Sequence, residues 1–126
     1  MKPRPYTESV LVVDDTEFMA RVLADMLTGA GYRVLVALGG PEALKVYEHE
    51  LPDVVTLDVV MPGMDGIQVL RLLRDIDPAC RVIMVSAVGH EARVLEAVQL
   101  GARNYVLKPV DKDKLLSAVR RALDEY

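Results

Sequence analysis

At 126 residues and 13.9 kDa the chain fits one domain and leaves no room for a second folded unit. A hydrophobic content of 52% and a mean hydropathy of +0.21 exclude the low-hydrophobicity composition of disordered chains. Nineteen acidic residues against fifteen basic ones, a net charge of −4, exclude the basic surface that displaces counterions from a phosphate backbone, so no nucleic-acid partner is expected.

Residues 1–8, with two prolines and two basic side chains, read as a flexible tail, and 9–126 as the folded domain. The opening MKPRPYTES lacks the apolar stretch of a signal peptide, and no apolar run approaches the ~18 residues of a membrane span. The expectation is a soluble cytoplasmic protein without a membrane partner. Val10 to Val13 reads as the first strand. A helix follows, with Phe18, Val22, Met26 and Leu27 on one face, terminated by Gly29 and Gly31. Arg33 to Ala37 reads as a peripheral strand, and Pro41 opens a second helix carrying Ala43, Leu44 and Tyr47. Asp53 to Leu57 is the third strand, followed by a helix with Ile67, Leu70 and Leu73. Arg81 to Val85 is the fourth, followed by a helix with Val94, Leu95 and Val98. Asn104 to Leu107 is the fifth, and a last helix starting near an Asp111 cap carries Leu115, Leu116, Val119 and Leu123.

The first, third and fourth strands are almost continuously apolar, as parallel strands covered on both faces are. Five strands alternating with five helices call for right-handed crossovers and an α/β doubly wound parallel sheet, (βα)5, for which the expected arrangement is flavodoxin-like with strand order 2-1-3-4-5.

In an open parallel sheet, ligands bind beyond the carboxyl ends of the strands. Strand one ends at Asp14-Asp15, strand three at Asp58, strand four at Ser86, and strand five at Lys108-Pro109. Taken singly, each has a plain explanation: an aspartate capping a helix, a loop hydroxyl, a solvated lysine. Together they place three carboxylates, a hydroxyl and an ammonium on one rim. Clustered carboxylates either raise a pKa or recruit a cation, and oxygen ligands without His or Cys favour a hard ion such as Mg²⁺. Beside such an ion the Asp58 carboxylate can act as nucleophile toward a phosphoryl group, with Lys108 neutralising charge and Ser86 donating a hydrogen bond.

Asp14-Asp15, Asp58, the loop Met61-Pro62-Gly63-Met64-Asp65-Gly66, Ser86-Ala87 and Lys108-Pro109 resemble the receiver domains of two-component response regulators, over the stretch from about Val10 to Leu123. The run from Ser86 to Pro109, with Asp14 to Met19, looks most like the stand-alone chemotaxis regulators. The resemblance implies that Asp58 accepts a phosphoryl group from a histidine kinase. It also implies that Asp15, Asp58 and the Val60 carbonyl ligate Mg²⁺, with Asp14 supporting the ion through water. Ser86 and Tyr105 become the switch residues, with Ala87 leaving space for an inward Tyr105 ring. Partner binding then changes on the face of helix four, strand five and helix five. The resemblance further implies a cis bond between Lys108 and Pro109. Fast-hydrolysing members carry polar groups two residues after the phosphorylated Asp and two after the switch residue, where this chain has Val60 and Val88. Slow self-hydrolysis follows as an expectation, and with it reliance on a phosphatase as a further partner or on back-transfer to a kinase for rapid reset. The alternatives are a receiver excised from a larger regulator, a phosphorelay intermediate, a purely structural receiver, and a small phosphatase with an aspartyl nucleophile. Against the last, the chain has no insertion to enclose a substrate.

Other features read as structure. Gly39-Gly40 lacks the phosphate-loop pattern and reads as a turn. His49 and His90 have no second ligand nearby for zinc and read as surface residues. Cys80 reads as a partly buried small residue.

Overall fold

The computed structural model describes residues 7–124. Ten elements alternate without interruption: β1 (Ser9–Val13), α1 (Glu17–Gly29), β2 (Arg33–Ala37), α2 (Gly40–Glu50), β3 (Val54–Asp58), α3 (Gly66–Ile76), β4 (Val82–Ser86), α4 (Glu91–Gln99), β5 (Asn104–Leu107) and α5 (Lys112–Asp124). The five strands form one parallel sheet in the order β2-β1-β3-β4-β5. Chain order and spatial order part company at β1, so crossovers from β1 run to both sides and helices cover both faces.

Side-chain alternation along each strand divides the core in two. Leu11, Val13, Val55, Leu57, Val82 and Met84 meet Ala43, Tyr47, Val69, Leu70, Leu73, Val94 and Ala97 under α2, α3 and α4. Val10, Val12, Val54 and Ile83 meet Ala20, Leu23, Leu27, Leu115 and Val119 under α1 and α5. Burial on both faces explains why β1, β3 and β4 are fully buried throughout, while edge strand β2 is not.

The helix ends follow local chemistry. Gly31 takes φ +98°, and the Tyr32 N–H returns to the Leu27 carbonyl, closing α1 as a left-handed glycine allows. Asp65 and Gln68 cap each other at the start of α3 in a reciprocal box. The Asp111 carboxylate accepts the N–H groups of Asp113 and Lys114, which makes Asp111 the cap of α5 as its position predicts. Gly39 and Gly40 turn the chain into α2, and the Lys108–Pro109 bond is cis, as expected.

Four expectations are corrected. The buried stripe of α1 is Ala20, Leu23 and Leu27, while Phe18 is 72% exposed, because at 3.6 residues per turn it stands about 180° around the helix from Leu27. On α4 only Val94 and Ala97 are buried, and Leu95 and Val98 face outward. Cys80 is fully buried rather than partly, and burial pushes its thiol pKa up. The expected tail, residues 1–8, lies outside the described residues up to residue 6, but Glu8 is held: its carbonyl accepts the Arg33 N–H and its carboxylate pairs with Arg120 at 3.1 Å.

Candidate functional site

Parallel strands all deliver their carboxyl ends to the same rim, so polar residues there converge without any long-range design. Asp14 follows β1, Asp58 closes β3, Ser86 closes β4, and Lys108 follows β5. Carboxylate oxygens of Asp14, Asp15 and Asp58 lie within 4.8 Å of one another. The Lys108 ammonium donates to Asp58 Oδ2 at 3.1 Å and stands 3.7 Å from Asp14 Oδ2.

Asp14 is 1% exposed, and its two oxygens differ in circumstance. Oδ1 accepts the Thr16 N–H at 2.8 Å, whereas Oδ2 is buried without a hydrogen-bond partner. Burial raises the Asp14 pKa above the ordinary value; the Thr16 N–H opposes the rise, Asp58 adds to it, and Lys108 counters it. A buried carboxylate oxygen without a hydrogen bond, beside two further carboxylates, fits a hard divalent cation, which prefers oxygen ligands and keeps several waters. The donor set therefore suits Mg²⁺, with Asp15 exposed at the outer edge and open to such waters.

Asp58 is 6% exposed. Its Oδ1 accepts the Val60 N–H at 3.3 Å, and the Val60 side chain is 53% exposed above it. The loop after Asp58 folds back so that the Gly66 N–H donates to the Val59 carbonyl at 2.9 Å. A Cβ at Gly66 would collide with the Asp58 carbonyl oxygen and come within 2.9 Å of Val59 Cα, so only glycine fits between α3 and the acceptor strand.

Ser86 is buried, and its hydroxyl donates to the Ala87 carbonyl at 3.1 Å rather than to any group of the acidic cluster. Tyr105 is 47% exposed on β5. Ser86 and Tyr105 nevertheless share a cavity of about 260 Å³, whose other walls include Ala87, Val94, Leu95 and Leu107. Asp14, Asp15, Asp58 and Lys108 are thus brought into one cluster, and Ser86 and Tyr105 into a second space next to it.

Three residues of this region had no role assigned from sequence. Gly66 and Asp65 lie in the loop from Met61 to Gly66, and the Asp65-x-x-Gln68 spacing is a readable capping signal. Arg93 carries no sequence signal, yet its guanidinium donates to Asp65 Oδ2 at 2.7 Å. Partial burial acts to raise the Asp65 pKa, but the Gln68 N–H and Arg93 outweigh it and hold the carboxyl below its ordinary value. No described helix is long and apolar enough to cross a membrane.

The family model of the response regulator receiver domain matches residues 10–120. The chemotaxis protein CheY of Bacillus subtilis is 39% identical over 116 residues, spanning 91% of this chain and 97% of its own, and CheY of Thermotoga maritima is 40% identical over 113 residues, spanning 89% and 94%. Among solved structures, a CheX–CheY–BeF3–Mg²⁺ complex from Borrelia burgdorferi is similar with TM-score 0.88 and 36% identity, over 94% of this chain and 90% of that one. Sheet order, a family match across 10–120 and CheY relatives aligned over most of their length agree, and the chain belongs to the response regulator receiver domains and is CheY-like.

Proposed function

We propose that the chain is a phospho-accepting signalling switch of a two-component system, in which Asp58 takes a phosphoryl group from the phosphohistidine of a histidine kinase. The observation that carries the reading is the pairing of a nearly buried Asp58 with Lys108 at 3.1 Å, beside a buried Asp14 oxygen that has no hydrogen bond. An Asp58 oxygen attacks phosphorus, the bond from phosphorus to the kinase nitrogen breaks, and the histidine leaves with its electron pair. Lys108 balances charge building on the phosphoryl oxygens, and Ser86 releases the Ala87 carbonyl to donate to one of them. Asp15, Asp58 and the Val60 carbonyl would hold Mg²⁺, with Asp14 supporting it through water. When bound, that ion neutralises the oxygens of the incoming group.

The phosphoryl contacts favour one of two pre-existing arrangements, and Tyr105 turns into the cavity it borders. The face of α4, β5 and α5 then changes its affinity for a downstream protein; its exposed Leu95, Val98, Tyr105 and Leu107 supply apolar contact area. Support for binding of a protein partner comes from the Borrelia burgdorferi relative, solved together with CheX, BeF3 and Mg²⁺. Residues 9–126 act as one receiver unit in this reading. The test is incubation with a small-molecule phosphodonor and Mg²⁺, followed by mass spectrometry of the intact protein. One phosphate is expected, abolished in Asp58→Asn or by chelation; undiminished labelling of Asp58→Asn would refute the assignment, and sustained turnover of a generic phosphate ester would favour a phosphatase.

A further inference from the structure

α4 is the most lightly anchored helix of the domain. It buries only Val94 and Ala97, where α3 and α5 each bury five residues. What α4 lacks in apolar burial is matched by charge on the side facing α3. Arg93 Nη2 donates to Asp65 Oδ2 at 2.7 Å, Arg93 Nε lies 3.9 Å from Glu96 Oε1, and Glu96 Oε2 lies 3.6 Å from Arg71 Nη2 on α3. The pair at 2.7 Å is short, charge-assisted and partly shielded, with side-chain exposures of 40% for Arg93 and 34% for Asp65. The other two pairs are longer and more exposed, and contribute little by comparison.

Asp65 is also the cap of α3, immediately before Gly66. Gly66 has no slack against Asp58, because its Cα faces the Asp58 carbonyl with no room for one further atom. A short physical route therefore runs from Asp58 through the Gly66 backbone and the Asp65 carboxylate to Arg93 and α4. We propose that Arg93 is a positioning residue, and that the Asp65–Arg93 bridge couples the state of Asp58 to the placement of α4. The inference rests on the phospho-acceptor reading of Asp58 and goes beyond it by naming the connection. Since coupling is reciprocal, α4 held by this bridge in turn biases the loop that begins at Asp58. Spatial adjacency alone is a weak warrant for a route; a non-additive response of the two partners is the physical one.

The test uses Arg93→Gln, Asp65→Asn and the double variant of the full chain. Asparagine caps a helix as well as aspartate, so Asp65→Asn removes the charge and keeps the cap. Amide hydrogen exchange of the α4 peptide is followed in the free protein and with Mg²⁺ plus beryllofluoride, a phosphoryl mimic. In the free protein each single variant is expected to speed α4 exchange by about five- to tenfold, the double variant no more than either, with α3 unchanged. With beryllofluoride, the ratio of bound to free exchange at α4 is expected to shrink toward one in all three variants. Additive single effects, or variants whose ratio equals that of the wild type, would overturn the coupling while leaving Asp58 as the acceptor. A wild type whose α4 exchange and active-site loop both ignore beryllofluoride would overturn the acceptor reading, and the coupling with it.

Discussion

Removing one charge from the acidic cluster should stabilise the protein when no divalent cation is present. The perturbation is Asp14→Asn, which keeps an oxygen for the Thr16 N–H and is close to isosteric. At an effective dielectric of ~20, two carboxylates at the 4.8 Å limit of the cluster repel by about 3.5 kcal/mol, and an ammonium 3.7 Å from Asp14 attracts it by about 4.5 kcal/mol. The two nearly offset each other once the exposed Asp15 adds its screened repulsion. Burial therefore decides the sign: Asp14 is 1% exposed and one of its oxygens has no hydrogen-bond partner. Neutralising it is expected to raise the unfolding free energy by about 1–2 kcal/mol in chelator. The folded-state pKa of Asp14 lies above its ordinary value of 3.8, so the penalty is absent below pH 3.8 and sets in as pH rises through the folded-state value. The advantage of Asp14→Asn should therefore appear only on the neutral side of that window. Mg²⁺ should narrow the gap, since a ligand at ten times its dissociation constant stabilises the native state by about 1.4 kcal/mol, and the variant gains less from it. Urea unfolding followed by circular dichroism, in chelator and in Mg²⁺, reads both effects. A variant no more stable than the wild type in chelator would show that the cluster is not under electrostatic stress, and the cation argument would fall.

Two further outcomes are expected on the proposed function. Val60 and Val88, 53% and 74% exposed, offer no hydrogen bond to an attacking water, so the aspartyl-phosphate should be long-lived, and Val60→Asn with Val88→Glu should shorten its lifetime by about tenfold or more. Loss of phosphate from the purified protein in Mg²⁺ measures this, and equal decay of wild type and double variant would refute it. Tyr105→Ala should leave the extent of Asp58 phosphorylation unchanged while reducing the gain in partner affinity that phosphorylation brings; an equal gain in both proteins would remove Tyr105 from the switch.

Sheet order and element sequence were legible because the signals repeat: β-branched runs of strand length alternate with helical spacing, and a parallel sheet admits few connections. Strand ends were less so. The apolar run places the start of β3 at Asp53, but the Asp53 carboxylate accepts the Ser9 N–H at 2.8 Å, and the strand runs Val54–Asp58. Arg81 likewise contributes its carbonyl to Val55 but lies before β4. Phe18 shows a period matched too loosely. Counted at 3.6 residues per turn, it falls on the face of α1 opposite Leu27 and away from the buried Ala20 and Leu23, so strict periodicity already places it outside. The acidic cluster and Lys108 were legible from strand ends alone, since topology fixes where those ends meet. The Asp65–Arg93 bridge was not, because it joins residues 28 apart across two helices whose packing no local pattern encodes.

The same packing explains why a change at the rim should be felt at α4 rather than elsewhere. Full burial of a large aliphatic side chain stabilises by about 1.5–3 kcal/mol, and α3 carries Ile67, Val69, Leu70 and Leu73 in that condition. α5 is fixed by Leu115, Val119 and Leu123, and α1 by Leu23 and Leu27. α4 has one valine and one alanine, with two more apolar residues left outside. A small displacement at Asp58, transmitted without slack through Gly66, meets a heavily buried α3 on its way and α4 as the helix with the fewest buried residues. Filling the cavity beneath Tyr105 with larger side chains would anchor α4 more firmly and would leave the carboxylates, Lys108 and their cation affinity where they are. On the proposed function, such a chain would still accept the phosphoryl group, but α4 would no longer be free to carry the event away from Asp58.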